Sequence, residues 1–190
     1  MKIFPSIILI IVLISCDNSS SKKSIKNSFI EKQNFFPVTT YIKGQLLDIA
    51  KRGVNPIKYT TIKNHTDSIW LKTEDFEKAV KEFLTPEIDS ANLISLFTEK
   101  KFLDQTIDAY TLTYDPINEL PDTITLRRWD VYIDPTTGNV KRVYLLKNIN
   151  ATKTLQLTWQ SNKWCKIITI KNSQDGNSEI EKEEKINWEF

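Results

Sequence analysis

The 190-residue sequence is poor in the residues that metal and nucleotide chemistry require. It contains one histidine, two cysteines and four glycines. A single histidine and two distant cysteines do not provide the closely spaced ligands of a zinc site. Four scattered glycines exclude a glycine-rich phosphate-binding loop. We therefore expect neither a metal nor a cofactor.

A surplus of charge of one sign is also missing. Lysine and arginine together number 26 against 24 acidic residues, which gives a formal net charge of +2. Proteins that bind nucleic acid concentrate basic residues on one face, whereas a basic pair such as Lys141-Arg142 is balanced here by its neighbours. We expect no nucleic-acid partner.

No pattern of catalytic residues stands out. The serines lack the strand–turn–helix elbow of a hydrolase, and the acidic run from Glu181 to Glu184 is typical of the solvated end of a strand. Cys165 lies in an apolar strand, where cysteine behaves as a small hydrophobe, and His65 is far away in the sequence. We expect a buried free thiol and no enzymatic activity; a hydrolase with unrecognised acids is the least favoured alternative.

The sequence also has no apolar run that could span a membrane. Ile7 to Ile14 is the longest such run, and a transmembrane helix needs about 20 apolar residues. Lys2 before the run and the small residue Ser15 after it are typical of an export signal. Residues 13–16, LISC, resemble the bacterial lipobox, which implies cleavage before Cys16 and acylation of that cysteine with fatty acids such as palmitate. An ordinary cleaved signal with an incidental cysteine is the alternative.

The chain is predicted to divide into three segments. Residues 1–15 form the lipoprotein signal peptide, residues 16–33 the lipidated cysteine with a flexible polar tether, and residues 34–190 a single α+β domain. The expected location is the bacterial cell envelope, with the lipid anchor in the outer membrane and the domain facing the periplasm. Asp17 resembles an inner-membrane retention signal of enteric bacteria, so the inner membrane stays open.

Apolar periodicity predicts the fold class. A helical period indicates helices over residues 38–52, 73–84 and 87–97, and in the second of these Phe76, Val80 and Phe83 are expected to pack on a sheet. Alternation and turn residues indicate a hairpin with strands at 57–63 and 68–71 around a turn at 64–67. Six further strands are predicted at 108–114, 123–134, 139–147, 154–160, 163–170 and 179–189. The expected fold is α+β, an antiparallel meander of about six strands packed against two or three N-terminal helices.

The turn at residues 134–138, DPTTG, fits a type I turn closed by a left-handed glycine. With Asp134 opposite Asn139, Trp129 faces Tyr144, and alternation places Arg127 and Arg142 on their side of the sheet. Arginine beside exposed aromatic side chains is frequent in protein interfaces. The candidate partner-binding residues are therefore Arg127, Trp129, Arg142 and Tyr144. The alternative is that Trp129 belongs to the core and the arginines extend past it to solvent.

Two resemblances bear on function. Residues 129–140, WDVYIDPTTGNV, resemble the strand–turn–strand end of PepSY-type envelope modules. The wider chain resembles uncharacterised lipoproteins of Bacteroidota in the stretches FFPV (35–38), FLTPEID (83–89), LRRWDVYID (126–134) and LQLTWQ (155–160). This resemblance implies an envelope location and no known activity. We expect a lipid-anchored, non-catalytic binding or assembly module whose partner is an envelope protein; the alternative is a carrier of a lipid or other apolar ligand in a curved sheet.

Overall fold

The computed structural model describes residues 35–88 and 90–189. The predicted signal peptide, the lipidation site Cys16 and the tether lie outside the described residues.

The described chain forms one antiparallel sheet of nine strands in the order β2-β1-β9-β8-β7-β6-β5-β4-β3. From β3 to β9 the chain is a continuous meander, because each of these strands pairs with the next one along the chain. The strands are β1 Ile57–Ile62, β2 His65–Trp70, β3 Phe97–Asp104, β4 Ala109–Pro116, β5 Leu126–Ile133, β6 Val140–Asn150, β7 Lys153–Gln160, β8 Trp164–Asn172 and β9 Ser178–Asn187.

The α+β class is confirmed, but the sheet has more strands than the six predicted. Those six correspond to β4–β9, and the predicted hairpin, β1 and β2, joins the same sheet because β1 pairs with β9. Strand β3 was missed because its sequence, FTEKKFLD, is a charge-rich edge strand without apolar alternation. The dominant feature of the fold is therefore the sheet.

The hairpin turns earlier than predicted. Ile62 pairs with His65, so the turn consists of Lys63 and Asn64 alone. Lys63 has a φ of 53°, the left-handed conformation that reverses the chain within two residues. His65 and the two residues after it belong to β2 instead of to the turn.

The helices are α1 Val38–Lys51, α2 Thr73–Ala79, α3 Lys81–Leu84 and α4 Ser90–Leu93. Helix α1 confirms the first prediction and stops before Gly53, which has a φ of 65°. The second predicted helix is interrupted at Val80, whose φ of −107° and ψ of 13° are not helical. The third prediction, over 87–97, is wrong beyond α4, because Phe97 already begins the edge strand β3.

The helices pack on one face of the sheet through aromatic side chains. Phe76, Val80 and Phe83 are all buried, which confirms the predicted stripe. The rings of Phe83 and of Trp159 on β7 pack in a T-shaped arrangement with their centroids 5.4 Å apart. The ring of Phe35, three residues before α1, lies 5.8 Å from that of Trp129 on β5. We call this the covered face.

A buried lysine joins the helical layer to the sheet. The Nζ atom of Lys147 on β6 lies 2.7 Å from a carboxylate oxygen of Glu82, and it donates to the carbonyl oxygens of Glu82 and Thr85 at 3.0 and 2.6 Å. A buried ammonium group needs such partners to offset its lost hydration. Lys147 thereby fixes the C-terminal end of α3 on the sheet.

Candidate partner-binding site

The opposite face of the sheet carries no helix contact among the ring contacts and hydrogen bonds of the described residues, and we call it the helix-free face. Alternate residues of a strand point to opposite faces, so the strand pairing defines which side chains it presents. One row of paired residues crosses all nine strands on this face: Phe102, Thr111, Tyr132, Arg142, Gln160, Trp164, Asn187, Ile57 and Trp70.

A recess on the helix-free face is centred on β5 and β6. Its volume is about 490 Å³. The side chains that line it come from three adjacent strands: Arg128, Asp130, Tyr132, Arg142, Tyr144, Leu146 and Thr158. We call it the β5–β6 recess.

Arg142 is held in the recess by an aromatic ring. Its guanidinium carbon lies 4.2 Å from the centroid of the Tyr132 ring, which is the geometry of a cation–π contact. No carboxylate of the described chain lies within ion-pair distance of Arg142. Since guanidinium N–H groups are suited to bidentate binding of carboxylates, this side chain is oriented but lacks the partner its chemistry favours.

Arg128, by contrast, forms ion pairs with two neighbouring carboxylates. It donates to both carboxylate oxygens of Asp130 at 3.2 and 3.3 Å and lies 3.6 Å from Asp115. Asp130 is only 3% exposed and also accepts a hydrogen bond of 2.6 Å from the hydroxyl of Thr113. The hydrogen bond to Asp130 raises the pKa of Arg128. These contacts balance the buried charge of Asp130.

The two tyrosines of the recess stay protonated at neutral pH. Burial raises the pKa of Tyr132 and of Tyr144, and the nearby carboxylate of Asp130 raises both further. Each phenol can therefore donate or accept a hydrogen bond while its ring supplies apolar contact area.

Two β-bulges determine which side chains of β5 and β6 face the recess. Tyr132 pairs with Arg142 but Ile133 pairs with Val140, so Lys141 is an extra residue in β6. Its Nζ atom donates to the carbonyl oxygens of Ile107 and Asp108 at 3.3 and 3.0 Å, which anchors the turn before β4. A bulge of this kind re-aims the side chains next to it.

The structure brings together two of the four predicted site residues. Arg142 and Tyr144 both line the β5–β6 recess. Trp129 does not, because it pairs with Leu145 instead of Tyr144 and is completely buried on the covered face. The bulge at Lys141 shifts the pairing by one residue, and a shift of one residue exchanges the two faces. The alternative reading of Trp129 as a core residue is the correct one.

Arg127 is also displaced from the predicted position. It is the extra residue of a second bulge, between Leu126 and Arg128. Its Nε atom is buried and has no hydrogen-bond partner in the described part of the chain. Arg128, its neighbour, takes the place in the recess that we predicted for Arg127.

Sequence reasoning missed Arg128, Asp130 and Tyr132. These residues alternate along β5 with buried side chains such as Val131. This period of two was the signal that could have found them, because it places all three on the face opposite Val131.

The remaining candidates for chemistry lie apart from one another. Cys165 is a buried free thiol, as predicted, and burial raises its pKa. His65 lies three strands away, at least about 14 Å at a strand spacing of about 4.8 Å, and its ring contacts Asp67 at the exposed edge of the sheet. Within residues 35–88 and 90–189, no group of three or more His, Cys, Asp or Glu side chains could hold a metal ion.

A comparison of the chain with protein-family models, with curated proteins and with solved structures finds no match. None of the helices in the described residues has both the length and the apolar character needed to cross a membrane. The function is therefore inferred from the geometry of the β5–β6 recess.

Proposed function

We propose that the protein is a lipid-anchored, non-catalytic binding module of the bacterial cell envelope, which holds a protein partner in the β5–β6 recess. The observation that carries this proposal is Arg142, stacked on Tyr132 without a carboxylate partner in the described chain. A carboxylate of the partner would complete the pair through two parallel N–H···O bonds.

The composition of the recess supports a protein as the partner. Arginine and tyrosine are, with tryptophan, the residues that most often dominate binding free energy in protein interfaces, and both types line the recess. Tyr144 and Leu146 supply apolar area beside Arg142, while Thr158 on β7 adds a hydroxyl to the lining. We expect the partner to insert an acidic side chain next to an aliphatic one.

The recess is also organised before any partner arrives. The Tyr132 ring restrains the Arg142 guanidinium, and the contacts of Arg128 with Asp130 and Asp115 restrain its neighbour. Side chains that are ordered in advance lose less conformational entropy on binding. This arrangement favours a preorganised binding surface, as opposed to one that becomes ordered only when the partner binds.

A photo-crosslinking amino acid in place of Tyr144 tests the proposal in living cells. We expect a crosslinked partner from position 144, and none from position 110, where Tyr110 is exposed at 50% but lies outside the recess. Mass spectrometry of the crosslinked peptide should find an acidic residue beside the attachment point. Crosslinks of equal yield from both positions would contradict the proposal.

Arg142→Ala provides the specific loss of function. Removal of the guanidinium should reduce the crosslink from position 144 at least tenfold, since truncating a hot-spot residue of an interface costs about 2 kcal/mol or more of binding free energy and about 1.4 kcal/mol corresponds to a factor of ten. Arg52→Ala, an exposed arginine after α1, is the matched control and should leave the crosslink unchanged. An undiminished crosslink with Arg142→Ala would exclude the recess.

The lipid anchor is tested separately at Cys16. Cys16→Ser should abolish labelling by a palmitate analogue and release the protein from the membrane fraction, because the longest apolar run is too short to hold it there. Label retained on the variant would contradict lipidation at this cysteine, whatever the fate of the binding proposal.

A further inference from the structure

The helices leave part of the covered face open. Beside α2 and α3, a groove of about 670 Å³ lies above β7, β8, β9 and β1. Its floor contains the buried side chains Leu155, Ile167 and Thr169, and its walls include Ile62 and Ile149, which are exposed at 52% and 39%. Apolar side chains of this size are thus exposed to water within a concave surface.

The groove is also rich in positive charge. Three glutamates and five lysines line it: Glu82, Glu181, Glu184, Lys58, Lys78, Lys81, Lys153 and Lys182. Each glutamate already has a cationic partner. Glu184 pairs with Lys58 and Lys182 at 2.6 and 2.8 Å, Glu181 pairs with Lys153 at 3.0 Å, and Glu82 pairs with the buried Lys147.

Positive charge therefore remains after this pairing. Lys81 on α3 has no carboxylate within ion-pair distance in the described chain. Lys78 on α2 reaches only Asp75, at 3.4 Å on the exposed side of the same helix. An apolar floor below ammonium groups that outnumber the carboxylates of the groove is complementary to a molecule with an apolar chain and an anionic end.

We infer that this groove binds a single-chain anionic amphiphile, with its acyl chain on Leu155 and Ile167 and its carboxylate or phosphate among the lysines. The volume falls within the range of about 300 to 1,000 Å³ that small-molecule sites occupy. Fatty acids and lysophospholipids share this chemistry. The groove lies on the opposite face of the sheet from the β5–β6 recess, so this inference is independent of the proposed function.

Native mass spectrometry of the full-length protein, purified in a nonionic detergent, tests the inference. The probes are palmitate, palmitoyl lysophosphatidate and, as a neutral control with the same chain length, hexadecanol. We expect one non-covalent adduct per chain with at least one of the anions, and binding of hexadecanol at least tenfold weaker. The comparison of palmitate with lysophosphatidate distinguishes the two head groups. Equal binding of hexadecanol, or no adduct with either anion, would overturn the inference.

Substitutions locate the bound molecule. Ile62→Glu should weaken binding of the anions at least tenfold, whereas Ile69→Glu, an equally exposed isoleucine of β2 outside the groove, should not. Ile149→Glu on another wall of the groove should repeat the effect of Ile62→Glu, and a thermal midpoint close to that of the wild type verifies the fold of each variant.

Three further variants distinguish binding in this groove from binding elsewhere on the protein. Lys81→Gln should weaken binding of the anions, whereas Lys51→Gln at the end of α1, outside the groove, should not. A second groove between α1 and α2 includes Leu47, which is exposed at 61%. If Leu47→Glu abolishes binding while Ile62→Glu leaves it intact, the molecule binds there and the inference is wrong.

Discussion

Two rows of residues, one on each face of the sheet, differ by a single step along each strand. Val131, Val143, Trp159, Cys165 and Ile186 cross five strands on the covered face, and each is at most 1% exposed. The next residue along β5, β7 and β9, and the preceding one along β6 and β8, belong to the helix-free face: Tyr132, Gln160, Asn187, Arg142 and Trp164. All five of these are half-buried.

The comparison separates the residues that stabilise the fold from those available for binding. Burial of the first row beneath the helices removes apolar surface from water, which is the main favourable contribution to folding. The second row remains partly hydrated, so its aromatic and arginine side chains contribute less to the free energy of folding. Of this row, Tyr132 and Arg142 line the β5–β6 recess, where we propose that a partner binds.

The largest expected difference between the faces is that between two phenylalanines. Phe83 on α3 is 1% exposed against Trp159, whereas Phe102 on the helix-free face of β3 is 50% exposed. Phe83→Ala should lower the free energy of unfolding by about 3 to 5 kcal/mol, because it leaves a cavity in a packed aromatic cluster. Phe102→Ala should lower it by less than about 1 kcal/mol. Urea unfolding of both variants measures the two costs.

Similar costs for the two substitutions would contradict the assignment of the faces. A urea midpoint unchanged by Phe83→Ala would mean that the apolar stripe of Phe76, Val80 and Phe83 is exposed. A large loss with Phe102→Ala would mean that another part of the protein covers the helix-free face.

The parts of the fold that the sequence predicts are those that local signals determine. Gly53 stops α1 at the predicted place, and the carboxylate of Asp134 accepts hydrogen bonds from the backbone N–H groups of Thr136 and Thr137 in the predicted turn. Such signals act within a few residues, so a single sequence is enough to reveal them.

The errors concern pairing between strands, which local signals do not determine. Lys141 is an ordinary strand residue in sequence. Its contacts as the extra residue of a bulge are with distant parts of the chain: its ammonium group donates to the carbonyl groups of Ile107 and Asp108, more than 30 residues away. That one residue moved Trp129 from the predicted site to the core. It also replaced Trp129 in the site with Asp130 and Tyr132, which the sequence had not singled out.

A smaller effect is expected from charge on the covered face. Burial alone would raise the pKa of Glu184, but its hydrogen bonds with Lys182 and Lys58 outweigh burial and lower it. A carboxyl group whose pKa is lower in the folded state stabilises the fold above its unfolded pKa of about 4.5. This contribution is lost as the pH falls through the folded pKa.

Glu184→Gln tests this linkage. The variant should be less stable than the wild type by about 1 to 2 kcal/mol at pH 7, and the difference should narrow below pH 4.5, the unfolded pKa. Glu179→Gln, whose carboxylate is highly exposed and 4.0 Å from Lys171, is the matched control and should change stability little at either pH. Urea unfolding at a series of pH values gives the comparison; a difference independent of pH would contradict the lowered pKa.

The smallest effect is expected within the β5–β6 recess itself. A double-mutant cycle with Tyr132→Leu and Arg142→Gln should give a coupling of about 0.5 to 1 kcal/mol in the free energy of unfolding, the range for a partly exposed cation–π contact. Leucine keeps apolar area and glutamine keeps polarity, so the coupling isolates the stacked pair. Tyr132→Leu with Arg52→Gln, two residues that do not touch, is the control cycle and should give a coupling near zero.

The size of the coupling between Tyr132 and Arg142 bears on binding as well as on stability. A measurable coupling would mean that Arg142 is already held on the Tyr132 ring before a partner arrives, so the guanidinium enters the complex with little further loss of conformational freedom. A coupling no larger than that of the control cycle would mean that the arginine is free in solution. Arg142→Ala should then weaken the crosslink from position 144 by removing a charge, while Tyr132→Leu should leave that crosslink unchanged. If the guanidinium is stacked on the ring in solution, both Arg142→Ala and Tyr132→Leu should weaken the crosslink from position 144.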